Sequence, residues 1–213
     1  MRKSHKLTLI TLLLAVIILS AAAPTLSWLS STSAPVVNTF AGGMISIQLD
    51  EALVDTDGKA VTGAGARRVT ANRYKYSAGA MLDKDPTPKV LKGSEECYVF
   101  LCVENGLGEK FSMNYDTAAW LKIAEMEGTA VYIYSQKVMA AESENDLVLK
   151  PIFTTVTVSS DLTAEDIAAL GEKTLTLTAY AVQTGALSSR EAIDLAVAQF
   201  LPGGVALDYP AVA

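Results

Sequence analysis

Four sets of side chains in this sequence are of types that do chemistry: His5, Cys97 with Cys102, Asp83 with Asp85, and Glu95 with Glu96. His5 is the only histidine, and it lies in an N-terminal stretch that reads as a removable leader. Without an imidazole, the rest of the chain cannot build the base of a Ser–His–Asp or Cys–His hydrolase. It also lacks the two imidazole ligands of an HExxH zinc peptidase. The carboxylate pairs are of a type that holds calcium or acts as acid and base. No partners converge on them in the sequence, so they read as turn and surface acids. No catalytic residue, cofactor site or metal ligand is therefore expected.

The cysteines fall in ECYVFLCVEN, a run of β-formers that reads as a buried strand. Cys97 and Cys102 are five positions apart, so on a strand they point to opposite faces, with α-carbons about 16 Å apart at about 3.3 Å per residue. A disulfide spans less than about 7 Å. The pair cannot bridge while the strand exists, and both read as small buried hydrophobes.

The elements that would position these groups follow from the order of the chain. Arg2, Lys3 and Lys6 precede LTLITLLLAVIIL (residues 7–19), and small residues follow in SAAAP and TLS. This is the three-part order of a secretory signal, with an apolar core too short for a comfortable membrane span. Small residues stand at −3 and −1 for a cut after Ala23 and for one after Ser27, so spacing alone permits either. Residues 28–37 then read as a tether and 38–213 as a single domain.

Residues 1–27 contain three Lys and Arg and no acid, so a chain starting at Trp28 carries 14 Lys and Arg against 23 Asp and Glu, a net charge of −9. That surface disfavours nucleic acid and anionic lipid as partners. It leaves membrane contact only to an uncleaved signal. The basic cluster Arg67, Arg68, Arg73 and Lys75 reads as a solvated strand face. Half of the residues are hydrophobic and mean hydropathy is +0.29, an excess concentrated in the leader.

Ile45, Ile47 and Leu49 alternate with Ser46, Gln48 and Asp50, the period-two pattern of a half-buried strand. Similar patterns predict strands over 68–76, 89–91, 97–104, 129–139, 152–159 and 173–183. In the last, Leu175, Leu177, Ala179 and Ala181 form an apolar face. Helical signals are few. Thr163 with Asp166, and Ser188 with Glu191, have capping-box spacing, and Ile193, Val197 and Phe200 form an apolar stripe. TAAWLKIAEM (117–126) also reads as a short helix. Many strands with two or three short helices predict a mainly β fold, a jelly-roll-like antiparallel β-sandwich.

Four blocks of residues occur in an order that resembles one family. They are TLSWLSS followed by NTFAGG and a strand, then DKDPTPKVLKGSEECYVFLCVEN, then PIFTTVTV, then LTAYAVQTGAL. Together they resemble the TasA/camelysin family, exported proteins of Firmicutes processed by a dedicated SipW-type signal peptidase. The resemblance favours cleavage between Ser27 and Trp28. It implies a jelly-roll domain serving as a structural protein of the cell surface or biofilm matrix, a fibre subunit that associates with itself or with related matrix proteins.

In that picture the mature N-terminal segment, through Val36, Val37 and Phe40, completes the sheet of a neighbour. Pairing would begin after Pro35, whose missing N–H interrupts a ladder, and Gly42 and Gly43 would turn the chain into the first strand. The family also carries a metallo-endopeptidase label, which finds no histidine after His5 to stand on. A monomeric module binding cell-wall glycan is a further alternative. It would need an exposed aromatic platform, which Trp28, Trp120 and the scattered tyrosines do not declare.

Overall fold

The computed structural model describes residues 44–185 and 187–207. Their alternating segments form eleven strands, β1 (Ile47–Ala52), β2 (Arg68–Val69), β3 (Met81–Asp83), β4 (Thr87–Val90), β5 (Cys97–Asn105), β6 (Phe111–Met113), β7 (Trp120–Met126), β8 (Thr129–Tyr134), β9 (Leu147–Val148), β10 (Thr155–Val158) and β11 (Leu175–Gln183). Two α-helices, α1 (Ala164–Leu170) and α2 (Ser189–Phe200), complete the set. The strands pair antiparallel in three sheets of order β2-β1-β4-β9, β3-β10-β6 and β11-β5-β8-β7. The architecture is a mainly β sandwich. These three pairing orders do not by themselves trace the two Greek keys of a jelly roll.

β5 is the central strand, and Cys97 through Val103 are all buried because both of its faces are covered. Cys97, Val99, Leu101 and Val103 face a core shared with Val90 of β4, Leu82 of β3 and Val156 and Val158 of β10. Tyr98 and Phe100 point the other way, into a second core closed by Ala192, Ile193, Ala196 and Val197 of α2. The α2 stripe is thus core packing, and Phe200 meets Tyr180 edge to face with ring centroids 5.8 Å apart. Both capping boxes are present, with Thr163 Oγ1 accepting from the Asp166 N–H at 3.1 Å and Ser188 Oγ from Glu191 at 3.3 Å.

Three expectations need correction. Residues 117–126 are not a helix, since Trp120–Met126 is strand β7, paired along β8. A β-bulge between Lys122 and Ala124 puts the consecutive Ile123 and Ala124 both into the second core, while Trp120 is buried in the larger one. The spacing of 0, 3 and 4 imitates a helical stripe because the bulge inserts one residue into the alternation. The strand expected over 68–76 stops at Val69, the chain bends at Thr70, and residues 71–76 have no regular structure. Similarly, the strand expected over 129–139 ends at Tyr134, with Val138 making only an isolated bridge to Cys97.

Candidate functional site

The site is a slot between two strand edges that no strand of the described residues pairs. In the β1–β4 ladder, Leu49 stands opposite Pro88. Proline has no N–H, so this pair cannot exchange two hydrogen bonds, and in an antiparallel ladder bonded and non-bonded pairs alternate. The N–H and C=O groups of Ile47 and Leu49 therefore point away from β4. The Leu53 N–H donates to the Arg67 carbonyl at 2.9 Å on that side, which fixes the same parity independently. β2 covers the edge only opposite Glu51 and Ala52, and no other described strand pairs with Ile47 to Asp50 on that side.

β11 presents the facing edge. The Thr184 N–H donates to the Glu96 carbonyl at 3.0 Å, so in the continuous register with β5 the even-numbered residues of β11 carry the bonds. The backbone groups of Leu175, Leu177, Ala179 and Ala181 point outward. Their side chains pack on the larger core, as the alternation predicts.

Between these edges runs a groove of about 550 Å³, bordered by Ile47, Leu49, Leu175, Leu177 and Ala179 and closed on one side by residues 70–72. A second groove of about 960 Å³ continues along residues 171–176 beneath Tyr74 and Tyr76. The lining is mixed, with Asp50, Glu51, Asn72, Lys84, Thr176 and Thr178 beside the apolar residues, and strand edges of this kind are the type that an extended peptide can pair with.

One end of the slot is held by a charge cluster. Asp50 and Glu51 are buried. The Asp50 carboxylate accepts from Arg68 Nε and from Lys89 Nζ, the latter at 2.5 Å. Arg68 also reaches Asp85 Oδ2 at 2.8 Å, and Lys84 pairs with Glu51. Burial alone would raise the Asp50 carboxyl, but the hydrogen bonds from Lys89 and Arg68 outweigh it and hold it below the ordinary aspartate range. With three acids and three cations the cluster is balanced, so it anchors β1 without attracting an ion. Arg68 is exposed, as expected of a solvated strand face, but its guanidinium is committed to Asp50 and Asp85. Asp85 is half-buried rather than a free turn acid, and its Oδ1 accepts the Ala52 N–H at 2.6 Å.

Asp83 likewise accepts from the Ala60 N–H at 3.0 Å, and Glu96 from Thr184 Oγ1 at 2.5 Å. Trp120 is buried with its indole N–H donating to the Lys150 carbonyl at 3.0 Å, so it cannot be a glycan platform. Among the described residues no group of three or more His, Cys, Asp or Glu side chains is placed to hold a metal ion. No described helix is long and apolar enough to cross a membrane.

No protein-family model matches the chain, nor does any curated protein or solved structure. Ser27, Trp28, Val36, Val37 and Phe40, the residues expected to carry processing and assembly, lie outside the described residues. The receiving edges were not legible in the sequence. Pro88 was the available signal, since a proline in a strand marks the face from which no ladder bond can come.

Proposed function

We propose that this chain is a secreted, non-enzymatic structural protein of the cell surface or biofilm matrix, of the TasA/camelysin type, whose copies join by strand addition. The supporting observation is the slot, in which the outward backbone groups of Ile47 and Leu49 face those of Leu175, Leu177 and Ala179. Its occupant is the segment containing Val36, Val37 and Phe40 of another copy. An extended run over 36–40 is about 17 Å long, enough to line the open stretch of β1, and its apolar side chains suit the part of the lining formed by Ile47, Leu49, Leu175 and Leu177. α-Carbons of β1 and β11 approach within 8 Å, less than the roughly 9.5 Å that a strand bonded to both would need, so the incoming strand pairs with one edge, or the two edges part to admit it.

Intact mass of the exported protein, with light scattering and negative-stain microscopy of that sample, tests the reading. A mature N-terminus at Trp28 and fibres that grow with time are expected, and deletion of residues 28–40 should abolish the fibres while moving the melting temperature little. A start at Pro24 or an uncut Met1 removes the SipW-type assignment. Equal polymerisation by the full and shortened chains sinks strand addition.

A further inference from the structure

We infer that residues 70–73 form a strap able to extend β2 along β1 and close the slot, and that the Asn72 side chain holds the strap in its open position. The inference rests on the strand-addition reading for its biological purpose, though not for its structural content.

The β2 register, Glu51 opposite Val69 and Ala52 opposite Arg68, has a definite continuation. It would set Thr70 opposite Asp50, Ala71 opposite Leu49, Asn72 opposite Gln48 and Arg73 opposite Ile47. Because the Leu53 N–H bonds to the Arg67 carbonyl, the odd-numbered residues of β1 are the ones that would bond to this extension. Leu49 with Ala71 and Ile47 with Arg73 would then exchange two hydrogen bonds each. These are the backbone groups an incoming strand needs.

The sequence of this stretch favours the extension, since RVTANRYKY alternates and is rich in β-formers. The chain nevertheless bends at Thr70, and residues 71–76 make no backbone-to-backbone hydrogen bond with the described residues. Side chains hold them instead. Asn72 Oδ1 accepts the Val54 N–H at 3.0 Å, and its Nδ2 donates to Glu51 Oε1 at 3.0 Å and to the Ala52 carbonyl at 2.7 Å. Tyr74 Oη donates to the Asp83 carbonyl at 3.1 Å and Tyr76 Oη to the Gly171 carbonyl at 2.6 Å.

Closing would exchange the three Asn72 bonds for four backbone bonds. Provided the Tyr74 and Tyr76 contacts are kept, the exchange replaces lost bonds by made ones, which is what a switch between the two arrangements requires. A copy with its strap closed has no free edge on β1 and accepts no strand. The segment that local pattern marks as a strand is thus a strand held in reserve.

Backbone amide exchange on the mature chain, kept monomeric by dilution, tests this with Asn72→Ala and with Asn72→Ala/Ala71→Pro. In Asn72→Ala the amides of Ile47 and Leu49 should exchange about tenfold more slowly than in the unaltered chain, because opening must now break ladder bonds. Ala71→Pro removes the N–H that the extension needs and should restore fast exchange. Should Asn72→Ala fail to fold, Asn72→Asp keeps the acceptor for Val54 while losing both donors, and the same slowing is expected.

Unchanged exchange in the folded Asn72 variants overturns the inference. So does protection of Leu49 already present in the unaltered chain and unaffected by Ala71→Pro, which would mean that another segment occupies the edge. Assembly separates the two readings. Slower polymerisation of Asn72→Ala, recovered by Ala71→Pro, supports the strap. Exchange as expected with no assembly by any chain leaves the strap standing and removes strand addition.

Discussion

The guanidinium of Arg68 grips Asp50 twice, donating from Nε to the carboxylate and from a terminal nitrogen to the backbone carbonyl at 2.9 Å. It thereby ties the end of β2 to the middle of β1, where the ladder between them has only two pairs. The side chain of Asp50 is 3% exposed and that of Arg68 32%, so the carboxylate is shielded from water while the guanidinium is partly reached by it.

Arg68→Ala leaves a buried carboxylate with one cation fewer, and a loss of about 3 kcal/mol is expected, at the lower end for a broken buried pair because Lys89 remains. Arg68→Lys keeps the charge but not the planar fork and should fall between. The Arg73–Glu172 pair makes a similar contact at 2.8 Å with both side chains mostly exposed, and Arg73→Ala should cost under about 1 kcal/mol. Urea unfolding of the three variants is the measurement. Equal losses for Arg68→Ala and Arg73→Ala would show that burial adds nothing to the clamp.

Acid should weaken the fold through the same carboxylate. Asp50 lies below its ordinary value of 3.8 in the folded chain, so its contribution is complete above that value and is lost as pH falls through the lower folded one. Asp166 and Glu191 are lowered by the backbone N–H groups of Thr163 and Ser188 and act in the same direction. Urea midpoints should be nearly flat from pH 7 to about 5 and decline below about 4. Asp50→Asn should flatten that decline without abolishing it. An equally steep decline in Asp50→Asn would exclude Asp50 as its source.

The thiols of Cys97 and Cys102 are 0% and 1% exposed and unpaired. Burial, with a smaller contribution from the adjoining Glu96 or Glu104, raises each to about 11. Thiolate is the reactive form. The folded protein should therefore resist iodoacetamide at pH 8, and two equivalents should react once it is unfolded. Prompt labelling of either cysteine in the native state, or a Cys97–Cys102 disulfide in peptide maps, would remove β5 from its place in the core.

Much of the fold is local and was legible in the sequence. The alternation in Ile45, Ile47 and Leu49, the apolar run of β5 and the period of β11 appear because a strand places successive side chains on opposite faces whatever its neighbours are. The capping boxes at Thr163 and Ser188 were legible because their bonds close within four residues. The separation of Cys97 from Cys102 followed from strand geometry alone.

Other features depend on which strands become neighbours, and only the tertiary structure decided them. β7 imitated a helix because its bulge is defined by the partner strand, and residues 70–76 imitated a strand because Asn72 finds its partners in Glu51, Ala52 and Val54. Nothing in the local spacing of Arg68 told that it would close on Asp50 and Asp85. The slot is the furthest case, because an edge left unpaired by the described residues is a relation between β1 and β11, more than 120 residues apart in the chain. Period-two patterning states which face of a strand is apolar, while hydrogen bonds in the plane of the sheet choose the neighbour, and those belong to a backbone that is chemically the same at almost every position.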